Sequence, residues 1–183
     1  MAFEFKKCDI EGLYEIQPKI FGDNRGYFLE TYSEKDFFEA GLTMKFVQDN
    51  QSMSVKGVLR GLHFQRGPYA QAKLVRVVRG RVLDVAVDIR KESPTFGRYV
   101  AVELSGENHR QMFIPKGFAH GYIALEDDTV FQYKCDEYYH PEVEDGIACN
   151  DPQIGIEWPL SENEITLSDK DRKHPTLKEL CEF

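Results

Sequence analysis

Residues Lys56 to Gly80 read KGVLRGLHFQRGPYAQAKLVRVVRG. One histidine, His63, stands among strand-forming residues, with Arg60, Arg66, Gln71 and Lys73 around it. A strand meant only for a core would favour apolar side chains, whereas this one is crowded with groups that take a proton or hold an anion. That mixture points to a lined cavity, and the stretch reads as the working face of a small β-barrel. Strict alternation would send Arg60 and His63 to opposite faces. Both serve one pocket only if Gly61 marks a bulge.

The flanking sequence supports a β architecture. Leu83, Val85, Val87 and Ile89 alternate with Asp84, Ala86, Asp88 and Arg90, and Val100, Val102 and Leu104 alternate with Tyr99, Ala101 and Glu103. A further alternating strand over Val130 to Cys135 puts Phe131, Tyr133 and Cys135 on one side. Gly80, Gly97, Gly106 and Gly117 punctuate these runs, and Glu92 to Thr95 is a loop. Towards the N-terminus, Phe3 to Pro18 reads as extended segments broken at Asp9 to Gly12, and a turn around Asp23 to Gly26 enters an aromatic strand expected to reach Tyr32. Ser33 followed by Asp36 starts a short helix with Phe37 and Phe38 on its apolar side, ended by Gly41. From Trp158 the tail is expected to be polar and irregular, with a short helix after Pro175-Thr176. Many short strands with little helix mean a sandwich or a closed barrel.

A chain of 183 residues is near the usual single-domain size, so 1–183 is read as one domain. Aromatics at 13% of the residues, with 13 Phe and 9 Tyr against one Trp, lean the same way as the alternation, since flat rings pack well on a pleated surface. The formal charge of -8 argues against nucleic acid as a partner, although a local basic pocket could still hold an anion. Cys8, Cys135, Cys149 and Cys181 form no C-x-x-C pair and are expected to be reduced. No apolar run suits a signal peptide or a membrane span, so the expected location is cytoplasmic, with no membrane partner.

None of the five histidines forms an H-x-H or H-E-x-x-H pair, and Gln65 stands where a metal-binding barrel would often place a second histidine. His63 and His120 could meet in space, but a transition-metal site needs a third ligand, so no metal is expected. A neutral imidazole is the best general base available near pH 7, provided a carboxylate orients it. Taken alone, His63 is more often structural than catalytic. Lys73 and Arg60 could stabilise negative charge on an oxygen after a proton is lost. In IPKGFAHG (114–121), Pro and Gly shape a turn that delivers His120 at the start of the next strand. Tyr133 is a core candidate that could also return a proton to a carbanion, Tyr138-Tyr139 offers rings for stacking, and Ser168 to Asp171 is a cap or a solvated turn unless the tail folds back.

The order of segments carries a resemblance. FGDNRGYFLE (21–30), FVQDNQSMSVKGVLRGLHFQ (46–65), QAKLVRVVRGRVLDVAVDIR (71–90), SPTFGRY (93–99), IPKGFAHGY (114–122), YKCDEYYHP (133–141) and LSDKD (167–171) together resemble the dTDP-4-dehydrorhamnose 3,5-epimerase family, from Gly12 to about Asp171. The resemblance implies an all-β fold, a metal-free cupin-type jelly-roll barrel with short peripheral helices. It implies no cofactor and a homodimer whose N-terminal strands reach the partner's sheet. Its implied substrate is a dTDP-linked 4-keto-6-deoxy sugar, dTDP-4-dehydro-6-deoxy-D-glucose, epimerised at C3 and C5. By the same resemblance, His63 is the base, Asp171 orients it, Lys73 sits near the enolate oxygen and Tyr133 returns a proton from the opposite face. Arg25, Glu30, Gln48, Asp49, Asn50, Arg60, His120, Glu144 and Lys170 match ligand-contacting positions, and Tyr139 matches the ring that stacks on thymine. Asp169 competes with Asp171 for the orienting role, and Asp145 with Glu144.

Other readings stay open at this point. A single-carbon epimerase or a ketoisomerase on a related dTDP-4-keto sugar would share the fold. A metal-dependent cupin oxygenase using His63 and His120 would carry stoichiometric iron or manganese. A barrel that only binds nucleotide or carbohydrate would bind dTDP without proton exchange.

Overall fold

Hydrophobic alternation at period two produces strands throughout the chain. The structure, a computed structural model, describes residues 2–181 and contains thirteen strands and two short helices. The strands are β1 (Phe3–Lys7), β2 (Tyr14–Pro18), β3 (Ile20–Asp23), β4 (Gly26–Leu29), β5 (Gln48–Ser54), β6 (Leu59–Gln65), β7 (Lys73–Arg79), β8 (Arg81–Asp88), β9 (Tyr99–Ser105), β10 (Gln111–Ile114), β11 (Phe118–Ala124), β12 (Thr129–Cys135) and β13 (Glu144–Gly146). The helices are α1 (Glu34–Glu39) and α2 (Leu177–Cys181). A six-stranded sheet in the order β1-β2-β10-β7-β12-β5 faces a five-stranded sheet in the order β13-β6-β11-β8-β9. All neighbours in these sheets are antiparallel, and the chain crosses repeatedly from one sheet to the other. This is the cupin-type jelly roll that the resemblance implied.

One core lies between the sheets. Val75 and Val77 of β7, Met112 and Ile114 of β10 and Phe131 of β12 meet Val82 and Ala86 of β8, Val102 and Leu104 of β9 and Tyr122 of β11. A second core covers the outer face of the five-stranded sheet. There Val85 and Val87 of β8 pack against Ile147, Ile154, Leu177 and the edge of Trp158. The tail expected to be polar is irregular, yet it lays apolar side chains on the sheet at spacings that follow no period. Fully burying each such aliphatic side chain stabilises the fold by about 1.5–3 kcal/mol. With both faces covered, β8 is buried from Asp84 to Asp88. Polarity along this strand therefore does not mark an exposed face.

Two local readings differ from expectation or gain detail. The aromatic strand ends at Leu29 and does not reach Tyr32, whose ring turns inward to meet Phe37 and Phe46 at centroid distances of 5.0 and 5.2 Å. At α1, Ser33 Oγ accepts from the Asp36 amide, as its position predicts. The Asp36 carboxylate does not close the cap but accepts from the Ala2 amide at 2.7 Å, tying the N-terminus to the helix.

The bulge at Gly61 is present. His63 pairs with His120 and Arg60 with Tyr122, so three steps along β6 match two along β11. Gly61 has φ +127°, a region that favours glycine, and a Cβ there would lie 2.6 Å from Gly121 Cα. The extra residue turns Arg60 and His63 to the same cavity.

Cys8, Cys135 and Cys149 are free thiols, and the side chain of Cys181 lies outside the described residues. No helix among the described residues is long and apolar enough to cross a membrane.

Candidate active site

A cavity of about 650 Å³ opens between the two sheets, lined by strands of both and closed on one side by the tail. The five-stranded sheet contributes Arg60 and His63 from β6 and His120 from β11. The six-stranded sheet contributes Gln48 and Asn50 from β5, Lys73 from β7 and Phe131, Tyr133 and Cys135 from β12. Candidate base and candidate acid therefore stand on opposite walls.

The tail folds back. Thr166 bonds to Gly57 and Leu59 through its backbone at 2.9 and 3.0 Å, which carries the next residues to the edge of β6. Ser168 Oγ then accepts from the Asp171 amide, and Asp171 Oδ1 lies 2.6 Å from His63 Nε2. Asp171 is nearly fully buried, and the His63 side chain is 29% exposed towards the cavity. Burial alone would raise the Asp171 carboxyl, but the hydrogen bond and charge of His63 prevail and hold it below the usual range. A carboxylate on Nε2 keeps the proton there and leaves Nδ1 with its lone pair. Asp169 is exposed and does not line the cavity, so geometry assigns this contact to Asp171.

Burial pushes the Tyr133 phenol up to about 12, helped by Cys135, Tyr122 and Glu144 and opposed by Arg60. A phenol in that range stays protonated at neutral pH and has a proton to give. Burial lowers the ammonium of Lys73, partly offset by Cys135, Glu144 and Asp84. At the mouth, Tyr139 donates to Glu144 at 2.8 Å and Lys170 ion-pairs with the same carboxylate. Burial raises the Glu144 carboxyl, but these two donors outweigh it and leave it lowered. Asp145 turns instead to Arg66, 2.7 Å away, so of the two acids Glu144 faces the cavity. Arg60 Nε donates to Ser54, and Gln48 both donates to Asn50 and accepts from the Tyr139 amide.

His120 is the third residue of β11, inside the strand and not in a turn. Its Nε2 lies 2.8 Å from Asp84 Oδ1, and both side chains are almost completely buried. Asp84 was not singled out from sequence, because on an alternating strand an acid reads as the solvent side. His63 and His120 are register partners, yet each is engaged by its own carboxylate. Gln65 donates to the Tyr69 and Tyr138 carbonyls and accepts from the His140 amide, so its amide pins loops. Among the described residues, His63 and His120 do not fall in one potential ligand group.

Three expected contact residues do not reach this cavity. Arg25 is 85% exposed and ion-pairs with Asp23 in the turn of the β3–β4 hairpin, and Glu30 is exposed just beyond it. The hairpin is a separate two-stranded ribbon, so nothing in its own chain carries it to the site. Asp49 alternates away from Gln48 and Asn50 on β5 and bonds Lys134 at 2.8 Å.

Residues 7–179 match the sequence profile of the dTDP-4-dehydrorhamnose 3,5-epimerase family. The chain is 54% identical over 178 residues to a dTDP-4-dehydrorhamnose 3,5-epimerase of Methanothermobacter thermautotrophicus, covering 97% of this chain and 96% of the relative. Among solved structures it is similar to dTDP-4-dehydrorhamnose 3,5-epimerase of Elizabethkingia anophelis, with a TM-score of 0.94, 48% identity and 98% of each chain covered. It is also similar to the Legionella pneumophila enzyme crystallised with dTDP-4-keto-L-rhamnose, with a TM-score of 0.93, 52% identity and coverage of 96% of this chain and 93% of the other.

Proposed function

The chain belongs to the dTDP-4-dehydrorhamnose 3,5-epimerase family, and from that premise we propose how its residues divide the work. The protein is an isomerase of dTDP-rhamnose biosynthesis, converting dTDP-4-dehydro-6-deoxy-D-glucose to dTDP-4-dehydro-L-rhamnose. The ketone at C4 acidifies the hydrogens on C3 and C5, because an enolate can take the electron pair. His63 removes that hydrogen through Nδ1 while Asp171 holds its tautomer. Lys73 stands by the enolate oxygen, and Tyr133 returns a proton from the far face, which inverts the carbon. Hydrogen leaves and returns at one carbon, so no net oxidation occurs.

The observation that carries this reading is the His63–Asp171 pair on one wall facing a protonated Tyr133 on the other. A cavity walled by Phe131 and Tyr122 also supports it, since bulk water would quench the enolate at random. Arg60, Gln48, Asn50, His120, Glu144 and Lys170 grip the nucleotide sugar, and Tyr139 stacks on thymine. The working form is a homodimer in the cytoplasm, built from one domain per chain. Ile20, Phe21, Tyr27 and Phe28 leave an exposed apolar ribbon suited to a second copy, which would bring Arg25 and Glu30 near the partner's cavity. Sedimentation should give a dimer, and Phe28→Asp should give monomers.

The deciding experiment is turnover in deuterated water. The wild type should place label on both C3 and C5, and His63→Ala on neither. Label on one carbon would make this a single-site epimerase. Exchange by His63→Ala at the wild-type rate would remove His63 from the mechanism.

A further inference from the structure

A third side chain stands beside the base, and the reaction as described does not use it. His174 follows the 3-10 turn Asp171–Lys173 and packs edge-on to His63, with ring centroids 5.4 Å apart and planes at 89°. Both of its ring nitrogens are buried without a hydrogen-bond partner among the described residues. The ring fills a slot over Gly146, the register partner of His63, where any side chain would strike three of its atoms. A leucine would fill the same slot without stranding two polar atoms. Burial first, then the neighbouring His63, makes His174 harder to protonate.

Donor atoms of His63, Asp171 and His174 all lie within 4.8 Å of one another. Two imidazole nitrogens and a carboxylate oxygen are a ligand set for borderline divalent ions such as zinc. The other charges nearby are spoken for: Lys170 pairs with Glu144, and Asp145 with Arg66. An entering ion has a route, because His63 and Asp171 line the cavity.

We infer that a divalent transition ion of the zinc class binds across His63, Asp171 and His174 and switches the enzyme off. The ion takes the lone pair of His63 Nε2 as the hydrogen there moves to Nδ1, so His63 stays a neutral imidazole whose Nδ1 no longer has a lone pair for the substrate, and no electron is transferred. Tetrahedral ligand bonds near 2.0–2.1 Å require His63 Nε2 and Asp171 Oδ1 to part from 2.6 Å to about 3.3 Å. The inhibitory half rests on His63 being the base of the proposed reaction; the binding half does not.

The test titrates metal-free full-length protein with zinc chloride by calorimetry and follows deuterium exchange alongside. One zinc per wild-type chain is expected, with binding at least about tenfold weaker in His174→Phe and His174→Asn. Zinc should stop exchange in the wild type, a chelator should restore it, and both variants should resist. Wild type that binds no zinc, or variants that bind it as tightly, would overturn the site. Zinc that binds through His174 and leaves exchange untouched, or stimulates it, would overturn the switch. Failure of the epimerase reading would show separately, as metal-free wild type with no exchange at all.

Discussion

Two histidine–aspartate pairs sit on adjacent strands of one sheet, with nearly the same bond length and different circumstances. His63–Asp171, at 2.6 Å, joins a strand to a returning tail and leaves the imidazole 29% exposed. His120–Asp84, at 2.8 Å, joins two neighbouring strands and leaves the imidazole 8% exposed. The bond alone does not mark which imidazole would act as the base. The two differ in exposure and in the origin of the acid, which arrives from outside the sheet for His63 and from the neighbouring strand β8 for His120.

The comparison would break first at the base itself. His63→Ala should lower kcat/KM by about 10⁴-fold in a coupled assay, and should lower the thermal midpoint as well, because it leaves the buried Asp171 carboxyl without its partner. Next, the same change made in both acids should separate their roles. Asp171→Asn should cost about 10³-fold in kcat by leaving the wrong tautomer in place. Asp84→Asn should cost about 1–3 kcal/mol of stability in denaturant, with a smaller loss of rate. Equal kinetic losses in the two variants would erase the distinction.

Smaller effects follow from the titrations. Because burial lowers Lys73, a rising pH should strip its proton before the ordinary lysine range. The alkaline limb of kcat/KM should then fall below that range, and Lys73→Arg should move it upward. The folded Asp171 carboxyl is held below its unfolded value, so its contribution to stability is present above the ordinary aspartate range. It fades as pH drops through the lower, folded value. Asp171→Asn should flatten that part of the curve by about 1 kcal/mol or less, measured by denaturant midpoints from pH 6 to 3.

Much of this was legible before any coordinates. Alternation located β8, β9 and β12, and Gly61 suggested its own bulge, but the partner of His63 came only from the resemblance, with Asp169 competing with Asp171 for the role. The second pair was hidden, because Asp84 alternates with valines and reads as a solvent-facing acid until the tail is seen to cover the sheet. The tail hid for a related reason: Ile154, Trp158, Leu167 and Leu177 keep no common period, so no helix or strand pattern announces them. His174 gave no signal in spacing, since its importance lies in what surrounds its nitrogens. Arg25, Glu30 and Asp49 were placed by resemblance alone, and one chain by itself does not bring them to the cavity.

The contact between His63 and Asp171 spans 108 residues of chain. All thirteen strands precede Asp171 in the chain, so they can be synthesised while the imidazole still lacks its carboxylate partner. A nascent chain halted before Asp171 would hold every strand, while Leu177 would not yet cover the outer face of the five-stranded sheet. On the proposed mechanism, a fragment without residues 169–183 would keep His63 but lose the carboxylate that orients it, and it would not turn over the sugar.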